Sequence, residues 1–420
     1  MSRRLVGSVA ATLVMVLAAG CGGSSEADGK VQLSLGLFSD FGYDKLIEEY
    51  QAAHPNIKIE QRKVKMEQHN TQLATQLAGG RGAADIVALE EGVVSQFRAS
   101  KDKFVNLAEY GAKDLKSQWA GWKWNQGTAD GGDFVLGLGT DMGSLGLCYR
   151  RDLFEAAGLP TDRTEVAKLW PTWADYSKVA DQFTAKTPNV KFVDTGRNVY
   201  KAILDQTEEG YFAKDDSYIA DKNDKVKTAF DTAAALGTKQ QTGALEPFSQ
   251  DWNVALKQGS FATTTCPAWA LALIKAGAGD AAAGKWDVTT APGGGGNWGG
   301  SFLAIPKQGK HPKEAYELAK WLTAPGQQKR IFKETGNLPS QPEVYRDPEV
   351  QATVNEYFNK APVGKIFASS AESLKPTYRG TKDSKVGPVF GTALTRVEQG
   401  KQSAADAWTQ ALKEAQDAVK

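Results

Sequence analysis

The fold is indicated by residues 31–89, which read VQLSLGLFSDFGYDKLIEEYQAAHPNIKIEQRKVKMEQHNTQLATQLAGGRGAADIVAL. Within this stretch, residues 31–37, 57–64 and 85–89 are short and either alternating or apolar, which is typical of β-strands. Between them, apolar residues recur at the spacing of a helical face. The order βαβαβ predicts a parallel sheet that is covered by helices.

The loops that follow the first and third predicted strands are candidate ligand-binding loops. Ligands of open α/β sheets bind at the carboxyl ends of the strands. This rule selects residues 39–43 (SDFGY) and 90–92 (EEG). Glu90, directly after a strand, is a credible hydrogen-bond acceptor for a ligand hydroxyl.

The rest of the chain continues the α/β pattern over a length that suits two domains. With 420 residues, the chain exceeds the usual size of one domain. Residues 134–149 form an extended stretch that could cross between lobes, and further strands are predicted near 259–270 and 302–306. Residues 311–322 and 403–419 have the periodicity of amphipathic helices.

The N-terminus has the pattern of an exported lipoprotein. A basic start and the apolar stretch 5–19 suit a signal peptide over residues 1–20, because the stretch is too short for a permanent membrane span. Residues 17–21 (LAAGC) then predict cleavage before Cys21 and lipidation of that cysteine, followed by a flexible tether over 21–29. The chain would stand on the outer face of the cell membrane. The alternative is a plain secreted protein with a chance cysteine.

The other two cysteines lie in segments that read as strands. Cys148 and Cys266 would be an even pair in an oxidising compartment, so they form either a disulfide or two buried thiols. His54, His69 and His311 are isolated, and no Cys/His cluster has the spacing of metal ligands. We therefore expect no metal and no cofactor.

Composition disfavours a nucleic-acid partner and favours an aromatic binding surface. The chain has 50 Lys+Arg against 49 Asp+Glu, whereas a nucleic-acid-binding protein usually has a basic face. Among its 11 Trp, Trp298 lies in the glycine-rich run 292–301. This run lacks the pattern of a phosphate-binding loop. Its glycines would let the backbone approach a ligand while the indole stacks on a sugar face; the alternative is a buried core tryptophan.

The remaining tryptophans and the paired carboxylates are less informative. Trp269 also follows a strand, and the cluster Trp119, Trp122 and Trp124 is explained equally by core packing or by ligand contact. Adjacent carboxylates such as Glu90–Glu91 usually point apart, so they do not indicate an acid/base pair. No GxSxG or other catalytic arrangement is found, and together with the predicted α/β architecture this absence leads us to expect that the protein is not an enzyme.

Several short motifs, in this order, give the chain a family resemblance. It resembles the family 1 extracellular solute-binding proteins of bacterial ABC sugar importers, particularly actinobacterial oligosaccharide-binding lipoproteins of the cello-oligosaccharide-binding type. The motifs are 41–43 (FGY), 54–58 (HPNIK), 83–87 (AADIV), 139–143 (GTDMG), 148–154 (CYRRDLF), 252–259 (WNVALKQG), 266–269 (CPAW), 296–300 (GNWGG) and 319–322 (AKWL).

The resemblance implies a two-lobed periplasmic-binding-protein-like α/β fold of the class II type. Each lobe would be a mostly parallel sheet with helices on both faces, and a hinge would join the lobes. Lobe 1 would comprise residues 30–140 and 291–340, and lobe 2 residues 141–290 and 341–420.

The resemblance also implies a sugar site in the interlobe cleft, contacted by both lobes. Trp269 and Trp298 would stack on the sugar, while Asp40, Glu90, Asp141 and Asn297 would bind its hydroxyls. The other implied contacts are Gly42, Tyr43 and Arg379.

The resemblance implies a monomer whose function is to bind an oligosaccharide such as cellobiose and to deliver it to ABC permease subunits. Two alternatives remain open from the sequence. One is an exported glycan-active enzyme, and the other is the same fold binding a malto- or xylo-oligosaccharide or another solute.

Overall fold

A computed structural model describes residues 30–420. The predicted signal peptide, Cys21 and the tether lie outside the described residues. Between residues 30 and 420, no helix combines the length and the apolar character that crossing a membrane requires.

In the described part of the chain, ten strands form the sheets, and eight of them belong to one continuous hydrogen-bonded arrangement. They are β1 (Val31–Leu37), β2 (Ile57–Lys63), β3 (Ile86–Glu90), β4 (Thr128–Ala129), β5 (Phe134–Val135), β6 (Gly137–Arg150), β7 (Lys191–Val193), β8 (Phe261–Pro267), β9 (Trp286–Thr290) and β10 (Asn297–Ala304).

The order of the main strands is β2-β1-β3-β10-β6-β8-β7, with β9 also paired to β6. β1 pairs in parallel with β2 and β3, which confirms the predicted βαβαβ unit. β10 is antiparallel to β3 and β6, and β6 is antiparallel to β8 and β9. The expectation of a mostly parallel sheet in each lobe is therefore wrong for the second part of the chain. The reason is that the long strand β6 extends from one sheet into the next and both of its partners there, β8 and β9, run opposite to it, while β7 and β8 pair in parallel.

Between residues 30 and 420, eighteen α-helices cover the sheets. They are α1 (Asp44–Ala53), α2 (Met66–Ala78), α3 (Glu91–Ala99), α4 (Gly121–Gln126), α5 (Arg151–Ala156), α6 (Arg163–Leu169), α7 (Trp173–Lys186), α8 (Gly196–Leu204), α9 (Asp224–Thr238), α10 (Gln250–Gln258), α11 (Ala270–Ala278), α12 (Pro312–Leu322), α13 (Pro325–Thr335), α14 (Pro342–Tyr345), α15 (Pro348–Gln351), α16 (Val363–Ser373), α17 (Asp383–Glu398) and α18 (Ala404–Ala418).

Local chemistry sets several helix boundaries. The Thr172 side chain accepts a hydrogen bond from the backbone N–H of Asp175 at the start of α7, and Ser403 does the same for Asp406 at the start of α18. Such caps satisfy N–H groups that have no partner inside the helix. The second boundary agrees with the helix predicted over residues 403–419.

β6 joins the two halves of the molecule. Its residues 137–144 pair with β10, while residues 145–150 pair with β8 and β9. One core cluster takes its buried residues from 33–138 and 303–331, and a second takes them from 142–371. The fold is the two-lobed α/β fold expected from the sequence, and the detailed lobe boundaries stay a prediction.

A disulfide joins Cys148 in β6 to Cys266 in β8, with Cα atoms 5.7 Å apart. Both residues are fully buried in the second core cluster. The sequence left open whether these cysteines form a disulfide or two buried thiols, and the structure has the disulfide.

Candidate binding site at the strand crossing

The site is built where β10 pairs with β6 in an irregular register, which we call the strand crossing, and glycines allow the close approach of the two backbones there. A Cβ atom on Gly143 would lie 1.6 Å from the carbonyl oxygen of Trp298, so no side chain fits there. On β10, Gly299 and Gly300 have φ values of +87° and +109°, and the pairing with β6 shifts register around them. Glycine adopts this backbone conformation readily, whereas other residues are strained in it. The crossing fixes the backbone on both sides of Trp298.

The glycines before Trp298 serve packing within the protein. A Cβ on Gly295 would lie 2.1 Å from the Ser370 carbonyl oxygen, and one on Gly296 would lie 2.9 Å from that of Asp205. The sequence interpretation that these glycines let the backbone approach a ligand is therefore wrong for Gly295 and Gly296. Their backbone approaches other protein segments instead.

Three aromatic rings surround the space beside the crossing, and we call Phe248, Trp269 and Trp298 the aromatic corner. The Trp269 and Trp298 rings are 6.0 Å apart and nearly perpendicular, at 79°. Phe248 lies 5.6 Å from Trp269 and 6.4 Å from Trp298. The Trp269 indole N–H donates to the Trp298 carbonyl oxygen at 3.1 Å, which fixes its orientation. Both indoles are half-buried, so the corner offers aromatic surface to a ligand.

Glu90 approaches the aromatic corner from β3. A Cβ on Gly299 would lie 3.6 Å from both Glu90 Oε1 and Trp269 Nε1, so these two groups converge on one point. The other carboxylate oxygen of Glu90 accepts a hydrogen bond from the Gly92 N–H at 2.7 Å. The structure therefore brings the predicted residues Glu90, Trp269 and Trp298 together.

Burial raises the pKa of Glu90 to about 7, and the neighbouring Glu91 carboxylate adds to the rise. Lys201, the Gly92 N–H and Arg379 act in the opposite direction but do not cancel it. At neutral pH the Glu90 carboxyl is thus divided between its two protonation states.

This shift predicts a pH-dependent contribution of Glu90 to stability. Between the unfolded-state pKa of about 4.3 and the folded-state value of about 7, the folded protein binds more protons than the unfolded chain. The stabilising contribution is therefore complete below about pH 4.3 and is lost as the pH rises to about 7. We expect the melting temperature of the wild type, relative to that of Glu90→Gln, to fall as the pH rises from 5 to 8.

Differential scanning calorimetry of both proteins from pH 5 to 8 checks this expectation. Burial also raises the pKa of Asp194, to about 6. Asp194 therefore makes stability fall with rising pH in the same way as Glu90. Because Asp194 is present in both proteins, its effect disappears in the difference. A constant difference in melting temperature across this range would contradict the assignment to Glu90.

Glu91, which belongs to the candidate ligand-binding loop 90–92 but was not named as a ligand contact, holds the backbone around Trp298. Its Oε2 accepts hydrogen bonds from Asn297 Nδ2 at 2.8 Å and from the Gly299 N–H at 3.1 Å. Its Oε1 accepts from Gln126 Nε2 at 2.9 Å. Glu91 is only 3 % exposed, so its contacts are with the protein.

Asn297 is committed to the same network. Its Oδ1 accepts from the Gly143 N–H at 2.8 Å, and its Nδ2 donates to Glu91 and to the Gly299 carbonyl oxygen. Both ends of the amide are thus used within the protein in this structure, and the expected contact of Asn297 with a ligand hydroxyl stays a prediction.

The predicted residues of the β1–α1 loop do not share the environment of Glu90. Asp40 is highly exposed and accepts from the Gly42 N–H at 3.0 Å. Gly42 has a φ of +71°, and a Cβ there would lie 2.7 Å from the Thr335 methyl group. Tyr43 is 1 % exposed and packs in the first core cluster, and its implied contact with the ligand stays a prediction.

Asp141 lies half-buried on β6 beside an unexpected lysine. Thr140 donates its hydroxyl to Asp141 Oδ1 at 2.9 Å. Lys123 is fully buried, its ammonium group is 4.1 Å from the centre of the Phe302 ring, and no hydrogen-bond partner for it is found within residues 30–420. Burial lowers the pKa of Lys123, while Asp141, Glu91 and Glu90 oppose this shift.

Arg379 is held in an ion-pair cluster and has little free surface. It bonds to Asp205, lies 3.3 Å from Asp383 and lies 3.9 Å from Glu91. Asp205 also accepts from Lys201, whose ammonium group is 5.6 Å from the centre of the Trp298 ring. The cluster raises the pKa of Arg379 despite burial. The predicted direct ligand contact of Arg379 stays a prediction.

The sequence did not decide whether Trp119, Trp122 and Trp124 pack in the core or contact a ligand, and the structure places them in two different environments. Trp119 and Trp124 are buried in the first core cluster, and Trp119 donates to the Gly139 carbonyl oxygen at 2.9 Å. Trp122 is half-buried and packs against the second core cluster. Within residues 30–420, no group of three or more His, Cys, Asp or Glu side chains is arranged to hold a metal ion.

Comparisons with known proteins agree on one family. The model of a bacterial extracellular solute-binding protein matches residues 45–358. A crystal structure of an extracellular solute-binding protein of family 1 shares 44% identity, with 93% of this chain and 100% of that chain covered and a TM-score of 0.85. Comparison with curated protein sequences gave no significant match.

Two sugar-bound structures share the fold at low identity. The ABC-transporter-associated binding protein of B. animalis subsp. lactis Bl-04, in complex with β-1,6-galactobiose, is 19% identical, with 93% of this chain and 97% of that chain covered and a TM-score of 0.78. The galacto-N-biose/lacto-N-biose I-binding protein of Bifidobacterium longum, in complex with lacto-N-biose, is also 19% identical, with 93% and 98% covered and a TM-score of 0.77.

Proposed function

We propose that this chain, which belongs to the bacterial extracellular solute-binding proteins, captures an oligosaccharide beside the aromatic corner. It then delivers the sugar to the permease of an ABC importer. The observation that carries the proposal is the convergence of Glu90 Oε1 and Trp269 Nε1 next to Trp298. An indole face matches the apolar face of a sugar ring, and a carboxyl oxygen matches its hydroxyl groups.

Capture would work through a shift between open and closed arrangements of the lobes. Glu90 belongs to the first part of the chain, whereas Trp269 follows β8 in the second part. A ligand that contacts both gains its full interaction energy only when the lobes are together, so binding favours closure. The closed shape is what the permease would distinguish from the empty protein.

The proposal includes attachment to the outer face of the cell membrane through lipid on Cys21. The family acts outside the cytoplasm, and residues 17–21 (LAAGC) have the lipoprotein pattern. A tether of this kind would keep the sugar-binding body close to its transporter. Detergent phase partitioning would test the anchor. The wild-type protein should be retained in the detergent phase, and the Cys21→Ser variant should not.

Cello-oligosaccharides are the proposed ligands, on the basis of the family resemblance of the sequence. We expect cellobiose or cellotriose to raise the melting temperature more than maltose, xylobiose or chitobiose in a thermal-shift screen. β-1,6-Galactobiose and lacto-N-biose are useful additions, since proteins of the same fold bind them. If another sugar gives the largest increase in melting temperature, that sugar replaces cello-oligosaccharides as the proposed ligand.

Titration calorimetry followed by product analysis tests the function itself. A binding protein takes up about one equivalent of sugar and leaves it unchanged, whereas an exported glycan-active enzyme would consume it with turnover. Absence of binding to all seven sugars would contradict the proposal of an oligosaccharide ligand.

A further inference from the structure

Phe248 is an exposed aromatic residue at the aromatic corner. Within residues 30–420, five large apolar side chains are exposed, and Phe248, at 42 %, is the one aromatic residue among them. Its ring is 5.3 Å from Trp252, in addition to its contacts with Trp269 and Trp298. One part of the ring is therefore packed, and the rest faces solvent beside the two indoles.

The backbone of Phe248 is strained as well. Its φ is +63°, in the left-handed region that bulky side chains rarely adopt. Strained backbone of this kind persists where surrounding structure imposes it, and it clusters at ligand-binding positions. A glycine or asparagine would relieve the strain, so the presence of phenylalanine requires a use for the ring.

Helix packing alone does not account for this residue. Phe248 directly precedes Ser249, which caps α10 by accepting from the Trp252 N–H. An apolar residue before a cap often packs on the first turn of its helix, and the contact with Trp252 fits that role. An aliphatic side chain would serve equally well, and the role does not explain the exposed ring face beside Trp298.

We propose that Phe248 contacts the bound oligosaccharide and forms the third wall of the aromatic corner. This inference rests on the proposed function. The three rings are inclined to one another by 50–79°, so a sugar that stacks on one ring meets the edges or faces of the other two. Phe248 then selects ligands that are large enough to span the corner, which favours oligosaccharides over single sugars.

The decisive variant is Phe248→Leu, which keeps an apolar side chain on Trp252 but removes the aromatic face. Binding is measured by calorimetry with whichever of cellobiose, cellotriose, maltose, xylobiose and chitobiose stabilises the wild type most. We expect the melting temperature of the free protein to change little and the affinity to fall about tenfold, as for loss of one aromatic contact. Val254→Ala is the matched control, since Val254 is also 42 % exposed but belongs to α10 and has no part in the corner.

A second pair of variants separates the ring from the backbone. Phe248→Ala and Phe248→Gly both lack the ring, but only glycine accepts the positive φ without strain. We expect equal losses of affinity and a higher melting temperature for the glycine variant. Wild-type affinity in Phe248→Leu, or recovery of affinity in Phe248→Gly relative to Phe248→Ala, would overturn the proposal. If the wild type binds none of the seven sugars of the thermal-shift screen, the proposed function and this inference both fail. If it binds one of them and Phe248→Leu binds that sugar equally well, only this inference fails.

Discussion

Trp298→Ala is expected to lower the affinity for the oligosaccharide by at least about 30-fold, which corresponds to about 2 kcal/mol. The indole is half-buried beside Trp269, and its backbone is fixed by the crossing of β10 over β6. A rigidly held aromatic ring loses little conformational entropy on binding, so most of its contact energy contributes to affinity. The hydrogen bonds of Asn297 and Gly299 do not involve the Trp298 side chain. The Trp298→Ala variant therefore keeps the pairing of β10 with β6.

Calorimetry with the best sugar from the screen measures this effect. Trp321→Ala is the matched control, because Trp321 is also half-buried but packs on Tyr50 with ring centres 5.1 Å apart, away from the aromatic corner. Its affinity should equal that of the wild type. If folded Trp298→Ala binds as tightly as the wild type, Trp298 is not a ligand contact.

Reduction of the Cys148–Cys266 bond is expected to lower the free energy of unfolding by about 4–5 kcal/mol. The bond closes a sequence separation of 118 residues, and cross-links over such long loops remove much of the conformational entropy of the unfolded chain. Because both cysteines are fully buried, the reduced thiols add no new polar contact that would compensate. Denaturant unfolding with and without reductant measures the difference.

The double variant Cys148→Ala/Cys266→Ala serves as the control for this experiment. Its unfolding curve should not respond to reductant. Intact mass before and after reduction should differ by two daltons in the wild type. Equal masses, or superimposed wild-type unfolding curves, would show that the thiols are not bonded in solution.

Local sequence patterns predict most of the elements that position the site. The βαβαβ unit is confirmed because its strands and helices are each encoded by short-range periodicity. Glu90 could be placed at the edge of the sheet because a strand end specifies its position in the fold. In contrast, the antiparallel pairing of β6 depends on contacts between residues far apart in sequence.

The roles of individual site residues are less predictable, for the same reason. Glu90 and Glu91 are neighbours in sequence, yet one points to the aromatic corner and the other binds Asn297 and Gly299. No local pattern distinguishes them, because the difference depends on β10. Phe248 was missed because it lies in a loop without periodicity, and its importance depends on rings at positions 269 and 298.

The perpendicular pair of indoles at the strand crossing has a practical consequence for measurement. Tryptophan emission depends on the polarity around the ring, and Trp269 and Trp298 are half-buried where a ligand would displace water. The buried Trp119, Trp124, Trp170, Trp252 and Trp286 would keep their surroundings and give a constant background. The unlabelled protein should therefore report its own occupancy as a change in intrinsic fluorescence, which makes rapid-mixing kinetics of sugar uptake accessible without a dye.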